Sequence, residues 1–210
     1  MTEPQAAGGH GRFIVFEGGE ATGKSTQAAL LAERLGAVLT REPGGTAVGR
    51  SLRTLVLDPA VARLDPRAEA LVMLADRAQH VAEVIRPALD RGDVVVSDRF
   101  SGSTLAYQGY ARGLDVAELA GLSAWATGGL EPDLVILLDV PAAEAVARLG
   151  GDLDRMEGAG ADFHRRVAEG YRSLAAADPS RWCVVDGSGT VAEVSARVEA
   201  AFVQWSAVRS

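Results

Sequence analysis

Short apolar, β-branched runs recur along the chain at Phe13–Phe16, Ala37–Leu39, Val94–Val96, Leu134–Leu138 and Cys183–Val185, and the stretches between them carry apolar residues at spacings of three and four. A run that is apolar at every position fits a strand covered on both faces, whereas three-and-four spacing fits a helix with one buried stripe. Their alternation predicts a parallel sheet with helices above and below it, an α/β fold. The runs end in Glu17, Arg41, Asp98, Asp139 and Asp186. In open parallel sheets ligands bind beyond the carboxyl ends of the strands, so these residues are site candidates by position alone.

The longest helical stretch extends from about Arg67 to Asp90, with Leu71, Leu74, Ala78, Val81, Ile85 and Leu89 forming an expected core stripe. Met73, Arg77 and His80 form an adjacent stripe that can face the crevice. Gly150–Ala161 is Gly-rich, charged and nearly free of large apolar side chains, and is expected as a mobile loop between helices. Residues 1–11 are polar and Gly/Ala-rich and are expected to be flexible, leaving 12–210 as a single domain.

Composition narrows the class. With 210 residues, 48% hydrophobic and 23% charged, the chain can bury one sizeable core. Its one cysteine, Cys183, excludes an intrachain disulfide, reads as a buried strand position and fits a reducing cytoplasm. No apolar run is long enough to span a bilayer, and the N-terminus has no secretory pattern. A formal net charge of -7 argues against a nucleic-acid polymer or an anionic membrane as partner. His10, His80 and His164 have no metal-ligand spacing.

Candidate chemistry begins at residues 18–26, Gly-Gly-Glu-Ala-Thr-Gly-Lys-Ser-Thr, which contain the only lysine of a chain whose other strong cations are all arginine. The string fits G-x-x-x-x-G-K-[ST] between a predicted strand and a predicted helix. In such a loop the backbone N–H groups of Gly18, Gly19, Glu20, Ala21, Thr22, Gly23, Lys24, Ser25 and Thr26 cradle phosphates. The lysine reaches the β and γ groups, the Ser25 hydroxyl serves magnesium, and the helix N-terminus adds its positive end. ATP and Mg²⁺ are therefore the expected donor and metal. Asp98, at the end of the third strand, is the second magnesium-side candidate.

Four further segments point to the acceptor: Thr40-Arg-Glu-Pro-Gly-Gly-Thr46, Ala75-Asp-Arg-Ala-Gln-His80, Asp98-Arg99-Phe100 and Ala106-Tyr-Gln-Gly109. Together with the P-loop they resemble the thymidylate kinase family over nearly the full chain. The resemblance implies the P-loop NMP-kinase fold, with a five-stranded parallel sheet and a short lid at about 148–161. It implies transfer of the ATP γ-phosphate to dTMP, a step of dTTP biosynthesis, by a homodimer joined through helices flanking the Arg67–Asp90 segment. It places Arg99, Arg77 and, less directly, Arg53 around the acceptor phosphate, Glu42 and Pro43 in the acceptor site, Thr104 and Gln108 at the pyrimidine, and Tyr107 against the sugar. Met73 stands where the family usually stacks an aromatic ring on the base, implying a slacker clamp and leaving dUMP open as an acceptor. The P-loop holds no arginine, so the lid is expected to supply the catalytic cations, Arg148 and Arg155, with Gly150 at a position often occupied by arginine.

Two other readings stay open: a P-loop kinase for another small acceptor, and an inactive nucleotide-binding relative. A guanine-nucleotide switch is excluded, because the chain has neither asparagine nor a second lysine for an Asn-Lys-x-Asp signature.

Overall fold

The computed structural model describes residues 11–61, 64–148 and 154–208. All five expected strands form: β1 Arg12–Glu17, β2 Val38–Arg41, β3 Val94–Asp98, β4 Leu134–Asp139 and β5 Trp182–Asp186. They make one parallel sheet in the order β2-β3-β1-β4-β5. The helices are α1 Lys24–Leu35, α2 Ala47–Leu57, α3 Pro66–His80, α4 Arg86–Asp90, α5 Ser101–Thr104, α6 Val116–Thr127, α7 Ala142–Arg148, α8 Ala161–Ala177 and α9 Val191–Ala207. Among the described residues no helix is long and apolar enough to cross a membrane.

Central position explains the strand pattern. β1 lies between β3 and β4, so Ile14 and Phe16 pack toward α1 and α9 while Phe13 and Val15 pack toward Val81, Ile85 and Leu89 on the opposite face. Each such buried side chain contributes roughly 1.5–3 kcal/mol. Coverage on both faces fails at the edges, where Leu39 of β2 is 50% exposed and Val184 of β5 is 54% exposed. An edge strand has a neighbour on one side only and fewer helices over it. Cys183, also on β5, is half-buried, and burial pushes its thiol pKa up.

The long helical stretch departs from its expected stripe. Leu71 is 60% exposed, whereas the polar Glu69, Asp76, Arg77 and His80 are buried together with Ala70 and Leu74. A π-helical segment, Val81–Ile85, then joins α3 to α4. The wider turn of such a segment shifts the phase of the helical faces. The buried stripe is thus largely polar before it and apolar within and after it, at Val81, Ile85, Ala88 and Leu89. A second π-helical segment, Leu105–Ala111, follows α5 and packs its Ala106 and Tyr107 against Val167 and Tyr171 of α8. The first 10 residues of the expected flexible segment, and lid residues 149–153 with Gly150, lie outside the described residues. The later part of the expected loop holds a short 3₁₀ turn, Glu157–Ala159, leading into α8.

Candidate active site

Residues 18–23 connect β1 to α1 and fold as a compact loop. Gly18 has φ 147°, and a Cβ there would stand 2.6 Å from the Leu138 carbonyl oxygen, so no larger residue fits. Gly23, at φ 89°, turns the chain into α1. The Lys24 ammonium folds back over the loop and donates to the Gly19 carbonyl and, at 3.3 Å, to Thr22 Oγ1. Burial and the neighbouring Arg99 cation push its pKa down to about 8, against the pull of Glu20 and Asp98. Ser25 Oγ donates to Asp98 Oδ2 at 2.5 Å. The other oxygen, Asp98 Oδ1, is buried and has no hydrogen-bond partner. Ala21 bends the loop at a positive φ of 54°, and Thr26 lies exposed in the first turn of α1.

Arg99 is the junction between this loop and the rest of the site. It follows β3 with φ 75°, a left-handed conformation that a non-glycine residue rarely adopts. The turn is pinned by Glu17, whose carboxylate accepts from the Phe100 and Ser103 backbone N–H groups at 3.0 Å each, from Ser103 Oγ at 2.6 Å and from the Tyr171 hydroxyl at 3.0 Å. Arg99 then donates to the Gly18 carbonyl at 3.0 Å and to Glu20 Oε1 at 2.8 Å, both in the P-loop. Its remaining partners are the Tyr107 hydroxyl at 3.1 Å, the Tyr171 hydroxyl at 3.2 Å and Ser103 Oγ at 3.3 Å. The guanidinium lies 5.0 Å from the centre of the Tyr107 ring. Burial opposes the charge of Glu20, but Arg99 and Lys24 outweigh it and hold its pKa down to about 2. Burial also opposes the Arg99 charge, and Glu20 together with the other groups around the guanidinium more than offsets it.

A cavity with about 560 Å³ of empty space, counting its open mouth, lies beside Arg99 and Glu20. Glu42, Pro43, Arg53 and Met73 line it, as do Arg77, Thr104, Tyr107 and Gln108. The fold thus gathers every expected acceptor residue around one space. The loop after β2 is held down by the polar stripe of α3. Asp76 accepts from the Gly44 N–H at 3.0 Å, and His80 bridges Glu42 Oε1 at 2.9 Å and Thr40 Oγ1 at 2.6 Å. The chain passes so close that a Cβ on Gly45 would meet the His80 ring at 2.6 Å.

The two acceptor arginines differ in attachment. Arg77 donates to Glu42, to Thr104 Oγ1 and to the Phe100 carbonyl, each at 2.8 Å, and is 2% exposed. Its partners lie around the cavity, whereas those of Arg99 include the P-loop. Arg53 donates to the Pro43 carbonyl at 3.0 Å. Burial and the nearby cations Arg41 and Arg99 push its pKa down, which marks a place where an added anion is welcome.

A family model for thymidylate kinase matches residues 16–198. A thymidylate kinase from Synechococcus sp. is 50% identical over 203 residues, covering 93% of each chain. One from Desulfovibrio desulfuricans is 51% identical over 193 residues, 84% of this chain and 88% of that one. This chain belongs to the thymidylate kinase family. The crystal structure of thymidylate kinase from Ehrlichia chaffeensis agrees in fold, with a TM-score of 0.77 at 31% identity over 92% of this chain and 100% of that one. Thymidylate kinases are nucleoside monophosphate kinases, so the chain is a phosphotransferase.

Within this thymidylate kinase family member, the two lid arginines bond to groups outside the P-loop. Arg148 donates to Glu144 at 2.5 Å and to the Gly187 carbonyl at 3.0 Å. Arg155 donates to the Val56 carbonyl at 2.8 Å and pairs with Glu69 at 2.8 Å. Sequence reasoning also missed residues that shape the site. Tyr171, on α8, carries no motif signal, and Glu69, one turn before Met73 on the crevice-facing stripe, lies outside every motif string. Glu17 was signalled only by its place at a strand end.

The depressed Lys24 gives a pH dependence. Bound phosphate stabilises the charged ammonium and raises its pKa, so the protonated chain binds ATP better and binding takes up a proton where free Lys24 is neutral. ATP affinity is expected to be near its full value at pH 7 and about tenfold weaker at pH 9. Calorimetry in buffers of different ionisation enthalpy reads both effects; a pH-independent affinity with no proton uptake would contradict the assignment.

Proposed function

We infer that the chain transfers the γ-phosphate of ATP to the 5′-phosphate of dTMP, giving ADP and dTDP. The observation that carries this reading is the double attachment of Arg99, bonded at once to the P-loop through Gly18 and Glu20 and to the cavity through Tyr107 and Ser103. Phosphoryl transfer needs two anions held in line with cations over the equatorial oxygens, and little covalent help. Lys24 and the P-loop N–H groups take the donor phosphates. Arg99 takes the acceptor phosphate, with Arg53 as a second cation, and planar guanidinium forks suit phosphate oxygens.

The base lies at the end of the cavity carrying Arg77, Thr104 and Gln108, with Met73 contacting its face and Tyr107 beside the sugar. A thioether contacts a π face but holds it less rigidly than a ring. Glu42 and Pro43 line the same cavity, and Glu42 orients Arg77. Arg148 serves as the lid cation after leaving Glu144, while Arg155 stays with Glu69.

Magnesium fits the residues present: the Ser25 hydroxyl and the unpartnered Asp98 Oδ1 are oxygen donors, and the ion takes the rest of its ligands from water and phosphate. Bound there, it would neutralise charge on the donor phosphates. Among the described residues no set of three His, Cys, Asp or Glu side chains could hold it alone. The setting is the cytoplasm, where the single thiol stays reduced.

The chain acts as a homodimer through α2, α3 and α6. Leu55 on α2, Leu71 on α3 and Trp125 on α6 are 45%, 60% and 83% exposed, an apolar surface that a monomer would leave wet. Sedimentation velocity at micromolar concentration is expected to give a dimer, and Leu71→Glu a monomer; a wild-type monomer would contradict this.

ADP release from ATP and Mg²⁺ over a panel of dTMP, dUMP, dCMP and shikimate tests the acceptor. Turnover is expected to be fastest with dTMP, measurable with dUMP and negligible with the others. Preference for another acceptor, or binding without turnover, would reject the reading.

A further inference from the structure

Glu69 is fully buried on α3 and does not line the acceptor cavity, yet it touches a residue that does. One carboxylate oxygen accepts from Gln108 Nε2 at 2.8 Å and from Arg112 Nε at 3.3 Å. The other accepts from Arg112 at 3.2 Å and from Arg155 at 2.8 Å. Two arginines and a neutral amide thus converge on one carboxylate. Burial opposes its charge, and these partners more than offset that, pushing its pKa down.

An ionised carboxylate only accepts hydrogen bonds, so the end of the Gln108 amide that meets it is the NH₂ end. The orientation of this amide, which the atoms alone would leave ambiguous, is therefore fixed by chemistry. The opposite end, Gln108 Oε1, is buried and has no hydrogen-bond partner. It belongs to a side chain lining the cavity beside Thr104 and Arg77. An unpaired buried acceptor is costly, and a ligand that brings an N–H removes that cost.

We propose that Glu69 is a positioning residue for base choice: by holding the Gln108 amide nitrogen it presents the amide oxygen to the acceptor, so that the site takes a pyrimidine with N–H at ring position 3 and rejects one with an acceptor there. The inference rests on the reading of the cavity as a pyrimidine mononucleotide site. Thymine and uracil carry that N–H; cytosine presents a lone pair instead and would face Gln108 Oε1 acceptor to acceptor. Were the amide free to turn over, its NH₂ would suit cytosine, and discrimination would fall. Glu69 also ties this choice to the end of the lid. It pairs with Arg155 and with Arg112, and Arg112 closes the π-helical segment that carries Tyr107 and Gln108.

Equilibrium binding of dTMP and dCMP without ATP, by calorimetry, tests the proposal. In Glu69→Gln the residue at 69 becomes an amide that can meet either end of Gln108, and the dTMP-to-dCMP affinity ratio is expected to fall about tenfold, the loss of one directed hydrogen bond. ATP affinity is expected to stay at its wild-type value. In a Gln108→Leu background the same change at 69 is expected to leave the ratio unaltered, since no amide remains to orient. Glu69→Asp keeps the charge but draws it back from Gln108, and carries the test if Glu69→Gln fails to fold. A wild-type ratio in a folded Glu69 variant would overturn the proposal, because a counter-ion for two arginines alone would not set the ratio. So would an equal effect of Glu69→Gln with and without Gln108. Failure of the kinase reading would appear elsewhere, as a wild-type chain that binds dTMP but forms no ADP.

Discussion

The site depends on a cation held largely out of water, Arg99, whose side chain is 14% exposed. Arg99 is wrapped by Glu20, Gly18, Ser103, Tyr107 and Tyr171. Removing such an ion from water costs several kcal/mol unless its donors are well paired. Five hydrogen bonds, one of them to the Glu20 carboxylate, meet that requirement. The left-handed turn that places it adds a strain of order 1–3 kcal/mol, which Glu17 opposes by holding the next backbone N–H groups. Burial keeps the phenols of Tyr107 and Tyr171 protonated, pushing both well above the ordinary tyrosine range. Paired with Glu20, the guanidinium stays charged and aimed before any ligand arrives, which is the preorganisation that phosphoryl transfer between two anions needs.

A second constraint comes from α3, which spends its buried face on polar groups. Glu69, Asp76, Arg77 and His80 are each tied to a different partner segment: the π-helical segment, the loop after β2, Thr104, and Thr40. Buried polar groups stabilise only when all are paired, so the stripe fixes the cavity wall in one arrangement. The π-helical segment Val81–Ile85 reconciles this with the apolar demand of the sheet two turns later. One helix thereby serves the site at one end and the core at the other.

Much of this was legible in the sequence, for identifiable reasons. Central strands such as Phe13–Phe16 and Leu134–Leu138 are apolar at nearly every position because both faces are covered. The P-loop was legible because glycine and lysine there answer local steric and charge demands. The acceptor residues came together because their motifs are short strings at strand ends and on one helix face. The buried polar face of α3 was not legible, since Leu71 and Glu69 give opposite signals unless the partners of Glu69 are known. Nor were the attachments of Arg148 and Arg155: an arginine pairs with whichever carboxylate the fold brings near, and Glu144 and Glu69 lie on different elements. The separate attachments of Arg77 and Arg99 depend on the same tertiary information.

Steady-state turnover of dTMP by Arg99→Lys, set beside its circular dichroism spectrum, tests the central claim most directly. A lysine keeps the charge but not the fork that joins P-loop to cavity. The account predicts a fall in kcat of about 10²–10³-fold with the fold retained. A folded Arg99→Lys variant with wild-type turnover would contradict it.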